Sequence, residues 1–225
     1  MNDKSLAIFL KPNKKGDNDI AKVIIKEFIE ETQTDIFIAV AYFTDVDIAD
    51  SIIKRTQNEY KTLMILNLAD IIRPENNSEK FKVSKALFNI FQTFKNNWTD
   101  MGNLQIKTLG VNLSENSKYT TFHHKFIVSE NNLIFGSLNL TNNAFNNNYE
   151  NIVSTEDKTL IEQFYNHFID LWNSKDATEL LLKNGEIRKL SCPKCGHDDY
   201  IDFESWGLQC YGENCGYKFY NTAFK

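Results

Sequence analysis

No apolar stretch of this 225-residue chain approaches the ~20 residues that span a bilayer. The longest apolar stretches are residues 36–43 and 63–68. The apolar residues 6–10 are followed at once by Lys11 and Pro12, so they are too few for the apolar region of a secretory signal. These absences predict a cytoplasmic protein with no membrane partner.

A basic excess is also missing. The chain has 25 Lys and Arg residues against 30 Asp and Glu residues, for a net charge of −5. The overall charge therefore does not by itself indicate nucleic-acid binding, and any polyanion must be bound by a local site. The hydrophobic fraction of 42% and the charged fraction of 24% are ordinary for a globular protein, which excludes wholesale disorder.

Apolar periodicity predicts helices alternating with strands. Helices are predicted at residues 18–33, 47–56, 80–95, 158–172 and 177–183, and strands at 35–43, 61–69, 104–109, 118–128, 133–135 and 149–154. The turn-rich residues 129–132 predict a hairpin, whereas the asparagine-rich residues 142–148 are interpreted as compositional bias. The alternation predicts a layered α/β domain over residues 1–186.

The side chains suited to catalysis lie between positions 123 and 150. In a strand, residues i and i+2 share a face, so His123 and Lys125 lie side by side while His124 points to the opposite face. A lone histidine in a strand is more often structural than catalytic, and its interpretation therefore depends on the residues downstream of it. Gly136 permits a close approach of backbone or ligand, and Ser137 and Asn139 repeat the i, i+2 spacing.

This pattern resembles the signature of the phospholipase D superfamily, which reads His-x-Lys, an acidic residue, Gly-Ser-x-Asn and a later Glu. The matching residues are His123, Lys125, Glu130, Gly136, Ser137, Asn139 and Glu150. Glu130 stands where the family has Asp, and the spacing from it to Gly136 is one residue shorter than usual. Residues 36–45 are also similar to the first strand and turn of bacterial endonuclease-like members. The resemblance covers residues 15–175 and implies a layered sheet with helices on both faces.

The resemblance also implies a mechanism. His123 would attack phosphorus to give a covalent phosphohistidine, Lys125 and Asn139 would hold the non-bridging oxygens, and Ser137 would assist by hydrogen bonding. Glu150 would orient an imidazole, and no catalytic metal is required. The mechanism uses two histidines, whereas the chain has a single copy of the motif. We therefore expect a two-fold symmetric homodimer with a composite active site.

The cysteines are confined to the C-terminal tail. Cys192, Cys195, Cys210 and Cys215 form two closely spaced pairs, which matches the tetrahedral preference of structural zinc. A reducing cytoplasm disfavours disulfides. The pattern therefore predicts a zinc ribbon over residues 187–225 with one structural Zn²⁺ per chain. Its many aromatic residues either stack on bases or form the core of the small domain.

The expected activity is cleavage of nucleic acid, DNA more than RNA, by an endonuclease-like phosphodiesterase whose ribbon aids substrate binding. Two alternatives remain open. One is a phosphodiesterase that acts on lipids or small molecules, and the other is a nucleic-acid-binding module without catalysis.

Overall fold

The structure is a computed structural model, which describes residues 5–12, 15–56, 58–67, 73–74, 81–82, 84–96, 103–109 and 122–181, and the short segments 190–191, 198–199, 201–202, 207–209 and 218–220. The helices are α1 (Lys15–Glu31), α2 (Val46–Arg55), α3 (Lys85–Asn96), α4 (Asn142–Asn147) and α5 (Lys158–Trp172). The strands up to residue 109 are β1 (Ser5–Leu10), β2 (Ile36–Val40), β3 (Thr62–Asn67), β4 (Arg73–Pro74), β5 (Phe81–Lys82) and β6 (Leu104–Leu109). The later strands are β7 (Lys125–Ser129), β8 (Leu133–Gly136), β9 (Glu150–Thr155), β10 (Thr178–Leu181), β11 (Leu190–Ser191), β12 (Asp198–Asp199), β13 (Ile201–Asp202), β14 (Gly207–Gln209) and β15 (Lys218–Tyr220).

The main sheet has eight strands in the order β1-β9-β8-β7-β2-β3-β6-β10. β2 runs parallel to β3, and β3 runs parallel to β6, whereas the other neighbours are antiparallel. β2 lies in the middle of this sheet and all of its residues are buried. A continuous apolar strand is stable there because both of its faces are covered.

Helices cover both faces of the main sheet. Ile36, Ile38 and Val40 of β2 pack in the core that α1, α2, α3 and α4 cover. Phe37 and Ala39 point the other way, into the core that α5 covers. Because side chains alternate along a strand, one segment supplies both cores. The predicted fold class, a layered α/β sheet with helices on both faces, is confirmed.

The turn after β2 is fixed by the buried carboxylate of Asp45. Its Oδ1 atom accepts from the N–H of Ile48 at 3.1 Å and thereby caps α2. Its Oδ2 atom lies 3.0 Å from Nζ of Lys22 on α1. This turn connects the central strand to two helices on the same face.

One predicted helix is wrong. Residues 177–183 were expected to be helical, but residues 178–181 form β10, which pairs antiparallel with the outer edge of β6. A short apolar run such as the one around Leu180 is compatible with either a helix or a strand, because periodicity alone does not separate them. The unpaired edge of β6 decides between them because it offers backbone hydrogen bonds that an isolated turn of helix cannot match.

Several predicted boundaries change. The strand predicted at 118–128 begins only at Lys125, and residues 118–121 lie outside the described residues. The helix predicted from residue 80 begins at Lys85. The asparagine-rich stretch contains the short helix α4, which Thr141 caps by accepting from the N–H of Ala144. The hairpin at residues 129–132 is confirmed, since β7 and β8 pair across it.

The tail contains two small sheets. β11 pairs with β12, and β14 pairs with both β13 and β15. The predicted zinc ligands, Cys192, Cys195, Cys210 and Cys215, lie outside the described residues, and the boundary between residues 186 and 187 stays a prediction. None of the described helices is long and apolar enough to cross a membrane.

Candidate active site

The predicted site residues gather at one edge of the main sheet. β7 begins at Lys125, β8 ends at Gly136 and β9 begins at Glu150. The N–H of Ala41, just after β2, donates to the carbonyl of His124 at 2.9 Å. Four strand ends therefore meet here, although their residues are far apart in the sequence.

Lys125 and Glu150 project from the same face of the sheet. Each lies two residues before an isoleucine, Ile127 and Ile152 respectively, and both isoleucines are in the core under α1 to α4. Strand alternation places the lysine and the glutamate on that face as well. The site therefore opens on the side of the four helices.

The His123 and Lys125 side chains are in direct contact. Nζ of Lys125 lies 3.1 Å from Nδ1 of His123, and it donates to the carbonyl of His123 at 3.0 Å. An ammonium group can only donate, so Nδ1 of His123 is the acceptor in this arrangement. The predicted side-by-side placement of these two residues is confirmed, although His123 lies just before the strand.

His124 points to the opposite face, as predicted. Its Nε2 atom lies 3.2 Å from Nε2 of His167 on α5. Burial, followed by the nearby His167, Lys125 and His123, lowers the pKa of His124 below its usual value. The backbone therefore separates His124 from the face that carries Lys125 and Glu150, which is the candidate catalytic face.

Gly136 allows β8 and β9 to approach closely. A Cβ atom at this position would lie 2.1 Å from the carbonyl oxygen of Asn151. The N–H of Ser137 donates to that same oxygen at 3.0 Å. A side chain at position 136 would push β9, and the catalytic-face residue Glu150 with it, away from the site.

The hydroxyl of Ser137 holds the Glu150 carboxylate. Oγ of Ser137 donates to Oε2 of Glu150 and accepts from the N–H of Asn151 at 3.0 Å. Nδ2 of Asn148 donates to Oε1 of Glu150 at 3.1 Å. The structure thus places Ser137 beside Glu150, and within the described part of the chain these contacts of the carboxylate do not include His123.

Asn139 is held by the turn after β2. Its Oδ1 atom accepts from the N–H of Tyr42 at 3.3 Å, and the ring of Tyr42 packs edge-on to His123 with 6.4 Å between the centroids. Because the amide oxygen faces the backbone, the amide nitrogen is the end that can donate to an anion. The next residue, Leu140, accepts from the N–H groups of both Thr44 and Asp45.

Sequence reasoning missed Tyr42 and Asn148, which position Asn139 and Glu150. Tyr42 lies in the predicted strand 35–43, and only its proximity to position 139 in the fold reveals this role. Asn148 belongs to the stretch interpreted as compositional bias. Neither carries a local sequence signal that separates it from its neighbours.

No group of three or more histidine, cysteine, aspartate or glutamate side chains suited to a metal occurs within the described residues. The strands that flank the predicted zinc ligands are paired with each other. β11 and β12 lie on either side of Cys192 and Cys195, and β14 and β15 lie on either side of Cys210 and Cys215. Each cysteine pair thus falls, in sequence, between two antiparallel strands.

Fold and site together define a layered α/β domain whose polar side chains converge at the ends of four strands. The sequence model of the family described as "Cardiolipin synthase, PLD-like domain" matches residues 25–172. The chain belongs to this phospholipase D-like family, as the resemblance of its motif implied.

Individual relatives match a smaller part of the chain than the family model does. The mitochondrial cardiolipin hydrolase of Danio rerio is 42% identical over 78 residues, which are 33% of this chain and 34% of that protein. The mitochondrial cardiolipin hydrolase of Homo sapiens is 35% identical over 75 residues, which are 33% of this chain and 30% of that protein. The chain thus spans about a third of the length of the curated relatives it matches.

Two solved structures share the fold over nearly their whole length. NucT from Helicobacter pylori superposes with a TM-score of 0.61 and 19% identity, covering 79% of this chain and 99% of that one. Nuc from Salmonella typhimurium, a phospholipase D family member, superposes with a TM-score of 0.56 and 19% identity, covering 79% and 98%. At this identity the likeness concerns the fold.

Proposed function

We propose that the protein hydrolyses phosphodiester bonds in nucleic acid, with DNA favoured over RNA, through a covalent phosphohistidine on His123. The observation that carries this proposal is the contact between His123 and Lys125, 3.1 Å apart, at the edge where Asn139 and Glu150 also lie. A nucleophile beside a fixed cation is what attack on an anionic diester needs.

In the proposed reaction, Lys125 turns from Nδ1 of His123 to the phosphate, the unprotonated nitrogen of His123 attacks phosphorus, and one ester oxygen leaves with a proton from a second imidazole. Water then attacks the phosphohistidine, gives a proton to that second imidazole and releases His123. Lys125 and the amide nitrogen of Asn139 donate to the non-bridging oxygens while charge builds up on them. These two side chains therefore stabilise the negative charge that develops on the phosphate in both steps.

The second imidazole is proposed to come from a second copy of the chain. Of the described histidines, His124 and His167 lie on the other face of the sheet, and His123 alone is on the catalytic face. Two copies related by a two-fold axis would bring two His123 side chains to one diester. Glu150, which Ser137 and Asn148 already fix within one chain, would orient an imidazole in this assembly.

The tail is proposed to be a zinc ribbon that helps to capture the substrate. Support comes from the pairing of β11 with β12 and of β14 with β15 on either side of the two cysteine pairs. Antiparallel strands that flank each pair suit four thiolates converging on one tetrahedral ion. Such a closed site would be structural, since it leaves no open coordination position.

A phospholipid diester is the second candidate substrate. The observation in its favour is the 42% identity over 78 residues to a protein named as a cardiolipin hydrolase. A phosphodiester in a lipid head group and one in a nucleic acid present the same reacting atoms, so the site chemistry does not separate them. Contacts with the substrate away from the reacting phosphate must therefore distinguish nucleic acid from phospholipid.

The test is an assay in EDTA with labelled single-stranded DNA, duplex DNA, RNA and cardiolipin vesicles, using the wild type and His123→Ala. We expect the wild type to cleave DNA, and His123→Ala to be slower by at least about a thousandfold because the nucleophile is gone. Rapid quenching at neutral pH followed by mass spectrometry should find the phosphoryl adduct on the peptide that contains His123.

Hydrolysis of cardiolipin without cleavage of any nucleic acid would replace the proposed substrate with the second candidate. Binding of DNA without turnover of any diester would leave a nucleic-acid-binding module. Full activity in His123→Ala would remove the proposed nucleophile.

A further inference from the structure

A pair of histidines joins α5 to the back of the catalytic segment. Nε2 of His124 and Nε2 of His167 lie 3.2 Å apart, and the two rings pack edge-on with 4.8 Å between centroids. Phe122 and Phe126 flank His124 at centroid distances of 5.2 and 5.9 Å. His124 is partly buried among these rings, whereas His167 lies at the surface of α5.

The proposed nucleophile depends on this segment. His123 lies before the first residue of β7, Lys125, and therefore outside the hydrogen-bond ladder with β2. The segment instead has two anchors on His124. Its carbonyl accepts from the N–H of Ala41 at 2.9 Å, and its imidazole meets His167.

The two anchors act in different directions. The backbone bond to Ala41 holds residue 124 against the end of β2, while the imidazole contact draws its side chain toward α5. Together they limit rotation of the backbone around residue 124. That rotation determines where the side chain of His123 points, whereas Lys125 is held by the pairing of β7 with β2.

We propose that His167 is a positioning residue for the reaction, which acts through His124 to hold His123 beside Lys125 on the catalytic face. The inference rests on the proposed function. His167 touches neither the substrate nor the reacting atoms. It sets the orientation of the segment that carries the nucleophile, and a displacement of about 1 Å in such a group is enough to slow a reaction severely.

The contact has a defined chemistry. One ring must donate its Nε2–H, and the other must offer an unprotonated Nε2 as the acceptor. A first added proton enters at the far nitrogen of the donor ring and leaves the bond intact. A second proton places two N–H groups face to face and breaks the bond. Burial, followed by the nearby His167, Lys125 and His123, lowers the pKa of His124, so this ring resists that second proton.

The experiment compares His167→Phe, His167→Gln, His124→Phe and the double variant His124→Phe/His167→Phe. Phenylalanine keeps a ring against the aromatic cluster but removes the hydrogen bond, whereas the glutamine amide can still donate to Nε2 of His124. Asn166→Ala, on an exposed neighbouring position of α5, is the matched control. Values of kcat and KM are measured in EDTA with bis(p-nitrophenyl) phosphate, which needs no assumption about the natural substrate.

We expect His167→Phe to lower kcat roughly tenfold with little change in KM, because the segment that carries His123 loses one of its two anchors. His167→Gln should recover most of that loss. The double variant should be no slower than the slower single variant, since both remove one bond. Equal losses in His167→Phe and His167→Gln, additive losses in the double variant, or an equal loss in Asn166→Ala would overturn the proposal.

A second measurement separates this proposal from the proposed function. Imidazole nitrogen NMR of the whole chain in EDTA should show a fixed tautomer at His124 and a moved His123 signal in His167→Phe. If no diester is hydrolysed by the wild type but these signals behave as expected, the proposed function fails and the positioning contact stands. Unmoved His123 signals, or loss of the fixed tautomer on adding EDTA, would refute the contact as a protein hydrogen bond.

Discussion

Ser137 and Glu150 share a hydrogen bond across two neighbouring strands, and the same serine oxygen also accepts from the N–H of Asn151. The serine proton is therefore directed to the carboxylate. In a single chain, the hydrogen bond of Ser137 holds Glu150, whereas the sequence predicts only that Ser137 assists by hydrogen bonding. This bond depends on the close approach of β8 and β9 at Gly136.

The Gly136→Ala variant should be destabilised and inactive. The added Cβ would lie 2.1 Å from the carbonyl oxygen of Asn151, which is backbone and cannot move aside without shifting β9. We expect a loss of about 1–3 kcal/mol in the free energy of unfolding, as for other overpacked sites. Urea denaturation measures it.

Gly16→Ala provides the control for that variant. An added Cβ there meets nothing within 4 Å, and the residue lies in α1. Its stability should stay the same or rise by a few tenths of a kcal/mol, since alanine is the better helix former. Equal destabilisation of the two variants would contradict the close-approach explanation.

The stability of the protein should fall as the pH drops below the usual His124 value of 6.5. Burial among aromatic rings, followed by the nearby His167, Lys125 and His123, lowers the pKa of His124 in the folded state. Between this lowered value and 6.5 the unfolded chain binds more protons than the folded chain, so stability rises with pH. Urea midpoints at several pH values should therefore fall more steeply in the wild type than in His124→Phe. If the urea midpoint changes with pH equally in the wild type and in His124→Phe, a group other than His124 causes the change.

Mixed dimers should test the composite site. Because His123 alone among the described histidines lies on the catalytic face, a dimer with one His123→Ala subunit would lack either the nucleophile or the second imidazole. Adding an excess of differently tagged His123→Ala subunits to the wild type should lower its activity as subunits exchange. A fully active monomer in sedimentation measurements would refute the composite site.

Removal of zinc should unfold the tail but not the α/β domain. The apparent binding energy of four-cysteine sites, about 10–16 kcal/mol, is also their folding energy. We expect one zinc per chain by metal analysis, and loss of tail signals alone in NMR spectra after chelation.

Deleting residues 187–225 should raise KM for DNA and leave single-turnover cleavage at saturating DNA nearly unchanged. An unchanged KM and specificity would indicate a structural or partner-docking tail.

Sequence patterns predicted the parts of the fold that depend on neighbours in the chain. The buried run at β2, the hairpin at 129–132 and the opposite faces of His123 and His124 all follow from periodicity or turn chemistry. β10 was misassigned because its structure is decided by the free edge of β6, some 70 residues earlier in the chain. Tertiary pairing is not visible in a window of five residues.

The same limit applies to the candidate site. Residue types and spacing identified the set from His123 to Glu150, but not the contacts among them. That Asn139 is fixed by Tyr42, and Glu150 by Ser137 and Asn148, depends on how β8 and the turn after β2 approach each other. Such an approach is a property of packing rather than of local sequence.

The order of the strands also determines when the site can form during synthesis. β1 is the outer neighbour of β9, and Ser5 pairs with Thr155 at a sequence separation of 150 residues, so the first described strand of this sheet waits for one of the last. Until then β1 lacks its partner strand, and Glu150, the first residue of β9, is not yet in place. Chain growth thus postpones assembly of the catalytic edge until almost the whole domain has been made. A nascent or truncated chain would carry the His123 segment without its finished surroundings.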